Sequence, residues 1–193
     1  MPEYTRTERD KIDQRELQPL DDALRRMGFK YGSIPSREIL EAPLYGIAIP
    51  TIVRFLKEND LSDMAMDFGS ELLTGNCPEI KNAWPDIVDL YRNAPVGFGL
   101  RVAGDTKILW FNAKSTLANA LLTAYSAKHV PDVLNLVQDP AHGQTRLILM
   151  RLLARQRHKE NVAAVLEILA DDPLFADTIR RWAKGSKQTE NSR

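Results

Sequence analysis

Apolar residues recur along the chain at helical rather than strand spacing, and no alternating run is bounded by an Asn-Gly or Asp-Gly turn. The pattern predicts an all-α fold. An early helix is marked by Leu17, Leu20, Leu24 and Met27, with Pro19 near its start and Gly28 at its end. Its acids Asp21 and Asp22 precede its bases Arg25 and Arg26, the order that suits a helix dipole. After a turn at Tyr31-Gly32-Ser33, the segment from Ser36 to Leu44 adds a short helix.

Comparing the chain with itself reveals a repeat. The stretches 50–56 (PTIVRFL), 85–91 (PDIVDLY), 131–137 (PDVLNLV) and 163–169 (AAVLEIL) share two apolar residues, a polar residue and two more apolar residues. Their starts are 35, 46 and 32 residues apart. In each, four apolar side chains fall on one helix face. Eight residues after each start stands Glu58, Asn93, Asp139 or Asp171, polar in all four copies and placed where the helix should turn.

A second helix follows each turn. In the third copy it runs from Gly143 to Gln156 with Leu147, Ile148, Leu149, Leu152 and Leu153; in the first it carries Met64, Met66, Phe68, Leu72 and Leu73 before Gly75. The second copy is longer, and residues 95–99 with Gly104-Asp105 form an inserted loop before a helix carrying Trp110, Leu117, Leu121 and Ala124. On that helix Trp110 and Phe111 pack into the core, leaving Phe98, flanked by glycines, as the exposed aromatic of the loop. The fourth copy ends in a short capping helix with Leu174, Ile179 and Trp182. Such a hairpin cannot bury its apolar faces alone, and stacking four of them gives a right-handed α-solenoid. The expected organisation is N-terminal helices and a turn over residues 1–46, the repeat array over 47–184, and a disordered tail over 185–193.

These residues resemble HEAT-type repeats. The third unit carries Pro131 in its first helix, Asp139 at its turn and Arg146 early in its second helix after Gly143 and Gln144, and Val162 through Asp172 follow the same plan. Over residues 48–184 the sequence resembles small bacterial HEAT-repeat proteins. It departs from the pattern where Ala65, Leu100 and Thr178 stand in place of Arg146, and where Glu58 and Asn93 replace the turn aspartate. The resemblance implies a non-enzymatic scaffold or adaptor that binds another protein, and a neutralising, immunity-like role is compatible with it.

Composition narrows the reading further. The 193 residues are 44% hydrophobic, enough to build a core without disulfides or metals, and the 26 basic and 26 acidic residues cancel. With no run of 18 apolar residues and no signal-like N-terminus, the expectation is a cytoplasmic protein that makes no membrane contact. The single cysteine, Cys77, forms no intrachain disulfide and reads as a reduced thiol beside a turn.

The distribution of charge says more than its total. Residues 1–97 hold 12 bases and 17 acids, net −5, and residues 98–193 hold 14 and 9, net +5. Gly143 to Lys159 contains Arg146, Arg151, Arg155, Arg157 and Lys159 without one acid. Arg151 and Arg155, four apart, share a helix face opposite Leu149, Leu152 and Leu153. Second helices line the concave surface of α-solenoids, so Arg151, Arg155, Gln144 and Arg157, with Phe98, are the candidate contacts for a partner with an acidic surface. Asp139, Arg146 and Asp171 are expected at the repeat corner, where a carboxylate accepts backbone N–H groups and the arginine ladders to Asp171 or Asp172.

Chemical motifs are absent. Gly99 to Thr106 imitates a phosphate loop, but Asp105 stands where the lysine belongs and no apolar strand precedes Gly99. Gly97-Phe98-Gly99 has Val102 in place of a third glycine. His129, His142 and His158 lack metal-binding spacing. Neither a cofactor nor a metal is expected. The alternative function is a nucleic-acid binder using the basic C-terminal half, similar in principle to HEAT-like DNA glycosylases, with affinity falling steeply with salt. An enzyme would need carboxylates or histidines converging across repeats.

Overall fold

Helices dominate the computed structural model of the chain, which describes residues 3–4, 6–29, 45–95, 97–102 and 108–182. The helix expected at 36–44, the loop residues 103–107 and the tail 185–193 lie outside the described residues. The chain divides into two compact units, Met1–Ser126 and Ala127–Arg193, with the boundary between the second and third repeat copies.

Unit 1 contains α1 (Arg6–Arg26), α2 (Tyr45–Glu58), α3 (Asp63–Glu71), α4 (Pro78–Asn82), α5 (Trp84–Asn93) and α6 (Ala113–Ala124). Each apolar stripe is answered by a neighbour: α2 packs on α5, α3 on α6, and the hairpins close through α2 on α3 and α5 on α6. First helices of the two copies thus lie together, as do second helices. Helix α1 covers α2 and α3 with Leu17, Leu20 and Leu24, all fully buried. It ends in a Schellman motif: Phe29 N–H reaches the Leu24 carbonyl, Gly28 N–H the Arg25 carbonyl, and Gly28 takes φ +94°.

Two expectations for this unit are corrected. Pro19 sits deep inside α1, not near its start, because the polar residues upstream continue the helix back to Arg6. Trp110 and Phe111 belong to a strand, not to α6. The insertion forms a hairpin of β2 (Phe98–Val102) and β3 (Ile108–Phe111), with Phe98 opposite Phe111, and β1 (Glu3–Tyr4) pairs with β2 in parallel. Asn112 separates strand from helix, its side-chain oxygen accepting Ser115 N–H at 2.9 Å as the N-cap of α6.

Unit 2 contains α7 (Val130–Gln138), α8 (Arg146–Leu153), α9 (Glu160–Leu169) and a last helix, α10, over residues 176–182. Helix α7 packs on both α8 and α9. Helix α8 starts three residues after Gly143, later than the spacing predicts, since residues 140–145 form a 3-10 turn in which Gly143 takes φ +56°.

The four matching stretches differ in burial. Ile52, Val53, Phe55 and Leu56 are buried, as are Ile87, Val88, Leu90 and Tyr91, and Val133, Leu134, Leu136 and Val137. In the fourth, Leu166 and Leu169 are buried, Val165 is half-buried and Ile168 is 67% exposed. One face of α9 is therefore uncovered among the described residues.

Candidate functional site

Unit 2 is organised around one buried cation. Arg146 opens α8 with only 6% exposure. Its Nε donates to the Gly143 carbonyl at 3.1 Å, and its Nη1 donates to the Val137 carbonyl at 3.2 Å and the Asp172 carboxylate at 2.9 Å. The guanidinium carbon lies 4.9 Å from the centre of the Phe175 ring. Val137 occupies the last turn of α7, where carbonyls lack intrahelical partners and the dipole is negative, so a cation fits there. Asp172 also accepts Leu174 N–H at 2.9 Å, and that bond, with Arg146 beside it, holds its carboxyl below the usual carboxylate range.

Of the expected corner residues, Asp139 is exposed; one oxygen accepts Ala141 N–H at 2.9 Å and the other lies 3.6 Å from His142 Nε2. The ladder partner of Arg146 is Asp172, whereas Asp171 is exposed on the turn. All hydrogen bonds of Arg146 described above go to the protein itself.

Unit 1 has the opposite device. Asp67, 7% exposed on α3, accepts Asn112 N–H at 3.0 Å and the Thr116 hydroxyl at 2.6 Å. A carboxylate thus sits at the N-terminus of α6, where unpaired N–H groups and a positive dipole end favour it. Beside it, burial and the Asp67 charge push the Glu71 carboxyl up. Lys114, 4% exposed, donates to the Arg92 carbonyl at 3.3 Å and stands 5.3 Å from the Tyr91 ring centre, a cation at the C-terminal end of α5.

The basic strip is open. Arg151 on α8, Arg155 in the 3-10 turn that follows, and Arg157 and Gln144 are exposed, while Leu149, Leu152 and Leu153 are buried beneath them. Among the described residues no carboxylate pairs with Arg151, Arg155 or Arg157, and Arg157 Nη1 donates to the Ala154 carbonyl at 3.0 Å. Phe98 begins β2 in unit 1, and its side chain lies outside the described residues.

Beside this strip, within unit 2, lies an open groove of about 660 Å³ lined by residues of the α8 end, α9 and α10. Arg155, Arg157 and His158 form its basic rim, and Leu166, Ile179 and Trp182 its apolar floor. Sequence spacing marked Ile179 and Trp182 only as packing residues of a capping helix. It missed that the rim bases and this floor share one groove, because the two segments are brought together by the α9 turn. The Asp67–Asn112 contact was missed too; an asparagine directly before an apolar helical run was the available signal.

Unit 1 carries a second open groove, of about 690 Å³, lined by α2 residues with Glu79, Asn82 and Asp86. His129 and His142 are buried, His158 is exposed, and burial with the Lys128 charge lowers the basicity of His129. Burial pushes the Cys77 thiol up, away from a reactive thiolate. Among the described residues no three His, Cys, Asp or Glu side chains converge as a metal site, and no helix is long and apolar enough to cross a membrane. Against family models, curated proteins and solved structures alike, the sequence finds no match.

Proposed function

We propose that the protein is a non-enzymatic binding scaffold of the HEAT-repeat kind, which holds an acidic protein surface through Arg151 and Arg155, with Gln144 and Arg157 contributing beside them. The observation that carries this reading is the pair Arg151 and Arg155: both exposed, neither matched by a carboxylate among the described residues, and standing on the last turn of α8 and the 3-10 turn that follows it, above the buried Leu149, Leu152 and Leu153. A lone exposed arginine needs no explanation, but four exposed bases, Arg151, Arg155, Arg157 and Lys159, uninterrupted by an acid form a local positive field that selects anionic partners and speeds their approach.

Two features support the HEAT-like part. Copies one and two pair first helix with first helix and second with second, and the Arg146–Asp172 bridge joins the second helix of copy three to the turn of copy four. A neutralising role toward the partner is compatible with such a scaffold, since occupying a partner's acidic face needs no chemistry of its own.

The test is the double variant Arg151→Glu, Arg155→Glu. Both positions are exposed, so the circular dichroism spectrum should match that of the unaltered protein, while affinity purification from the native host should lose the partner recovered by that protein. Unchanged recovery on an intact fold would exclude this strip as the interface.

A further inference from the structure

We infer that the groove of unit 2 is a peptide-docking site whose ligand is a short acidic segment carrying one large apolar anchor residue. This rests on the scaffold reading above and deepens it, because it states what the acidic partner must present.

Arg155, Arg157 and His158 are exposed on the rim, and Glu167 is the one carboxylate on the lining among the described residues. The charge complement is an anionic ligand. Charge alone would be satisfied on any open surface, whereas here the bases stand over an apolar floor: Leu166 is 8% exposed, and Ile179 and Trp182 are half-buried. At about 660 Å³ the groove falls in the size range of ligand sites, but it is open to solvent, so it suits an apolar side chain delivered by a chain lying across it. Arg157, bonded to the Ala154 carbonyl, is held at the rim and loses little freedom when a carboxylate arrives. Arg151, one turn before Arg155, continues the basic strip beyond the groove and meets further acids of the same segment.

A nucleic-acid strand is the weaker fit. It would bring phosphates to the rim, but two aliphatic side chains beside one indole make an uneven bed for a base, where single-strand binders offer successive flat aromatic platforms. A peptide with acidic residues flanking a leucine, phenylalanine or tryptophan satisfies rim and floor together, and a buried anchor surrounded by charge pairs is the usual distribution of binding energy in such contacts.

The experiment is selection of phage-displayed random 12-residue peptides on the full chain, followed by affinity measurement of the selected peptides by fluorescence anisotropy. The expected consensus has several Asp or Glu around one large apolar residue. Replacing that apolar residue by serine, or introducing Arg155→Glu or Ala163→Phe into the protein, should each weaken binding at least tenfold; Ala163 lines the groove and is only partly buried, so the larger ring fills the site. The Arg155 change alters an exposed side chain and keeps the test valid should the Phe variant misfold. Failure to enrich any peptide, a consensus without acids, serine versions that bind as well as the originals, or displacement of the peptides by an oligothymidine of 12 nucleotides at similar concentration would each overturn the inference. Loss of the native partner in the Arg151→Glu, Arg155→Glu protein together with its retention in Ala163→Phe would leave the scaffold reading standing and remove the groove from it.

Discussion

Each unit anchors a helix end with a buried charge, a carboxylate in unit 1 and a guanidinium in unit 2, and unit 1 adds a buried cation, Lys114, at the C-terminal end of α5. In unit 1 a buried carboxylate, Asp67, grips the N-terminus of α6 through Asn112 and Thr116; in unit 2 a buried guanidinium, Arg146, grips the C-terminus of α7 through Val137 and is neutralised by Asp172. Both devices obey the helix dipole, and both tie a helix end to a neighbouring element. They differ in how many partners depend on them. Asp67 satisfies two donors, whereas Arg146 serves two carbonyls, a carboxylate and an aromatic face, so unit 2 depends more heavily on a single side chain.

The largest effect should therefore come from Arg146→Met, which keeps the length but abandons Val137, Gly143 and Asp172. We expect a loss of about 3 kcal/mol in urea denaturation, at the lower end for a broken buried pair because Asp172 keeps some contact with water. Hydrogen exchange should place the damage in α7 to α9, leaving amides of α3 and α6 protected. Asp67→Ala should cost about 2 kcal/mol and give the converse exchange pattern, with Asp67→Asn retaining part of the stability because one carbonyl oxygen still accepts. Equal loss of protection in both units from either change would show that each charge does not serve its own unit.

Gly143→Ala should cost about 1–2 kcal/mol, the expense of holding an L-residue at φ +56° with ψ −141°; no neighbouring atom obstructs the new methyl, so the strain is purely in the backbone. Acid offers a gentler probe. The Asp172 carboxyl is held lower in the folded than in the unfolded chain, so its charge stabilises unit 2 above the unfolded value, and that contribution disappears as pH falls through the folded value. Asp172→Asn should flatten the acid limb of the stability curve measured on unit 2 and leave neutral-pH denaturation of unit 1 unchanged. The smallest effect should follow Lys57→Ala. Lys57 lies 3.0 Å from both Asp86 and Asp89, but all three are well exposed, and its denaturation midpoint should barely move.

Helix positions were legible because burial follows spacing: the apolar quartets of the first three copies are all inside, and the polar residues eight positions after each start close or follow the helix. The fourth quartet shows the limit of that signal. Ile168 matches Leu136 in pattern but is exposed, since periodicity reports which face is apolar and not whether a neighbour covers it. Trp110 and Phe111 mark a second limit. They fit the α6 stripe arithmetically, yet Ile108 to Phe111 favour a strand and Asn112 resets the helix, a local capping preference that overrides a long apolar stripe. At the candidate site, the basic strip was visible because it is contiguous in sequence. The groove floor was not, because Leu166, Ile179 and Trp182 meet the rim only after α9 and α10 have turned back.

The start of α6 is fixed by two side chains, Asn112 at its own N-cap and Asp67 from α3. Weakened pairing between β2 and β3 would therefore leave the first turn of that helix where it is, so sheet and helix can be redesigned separately.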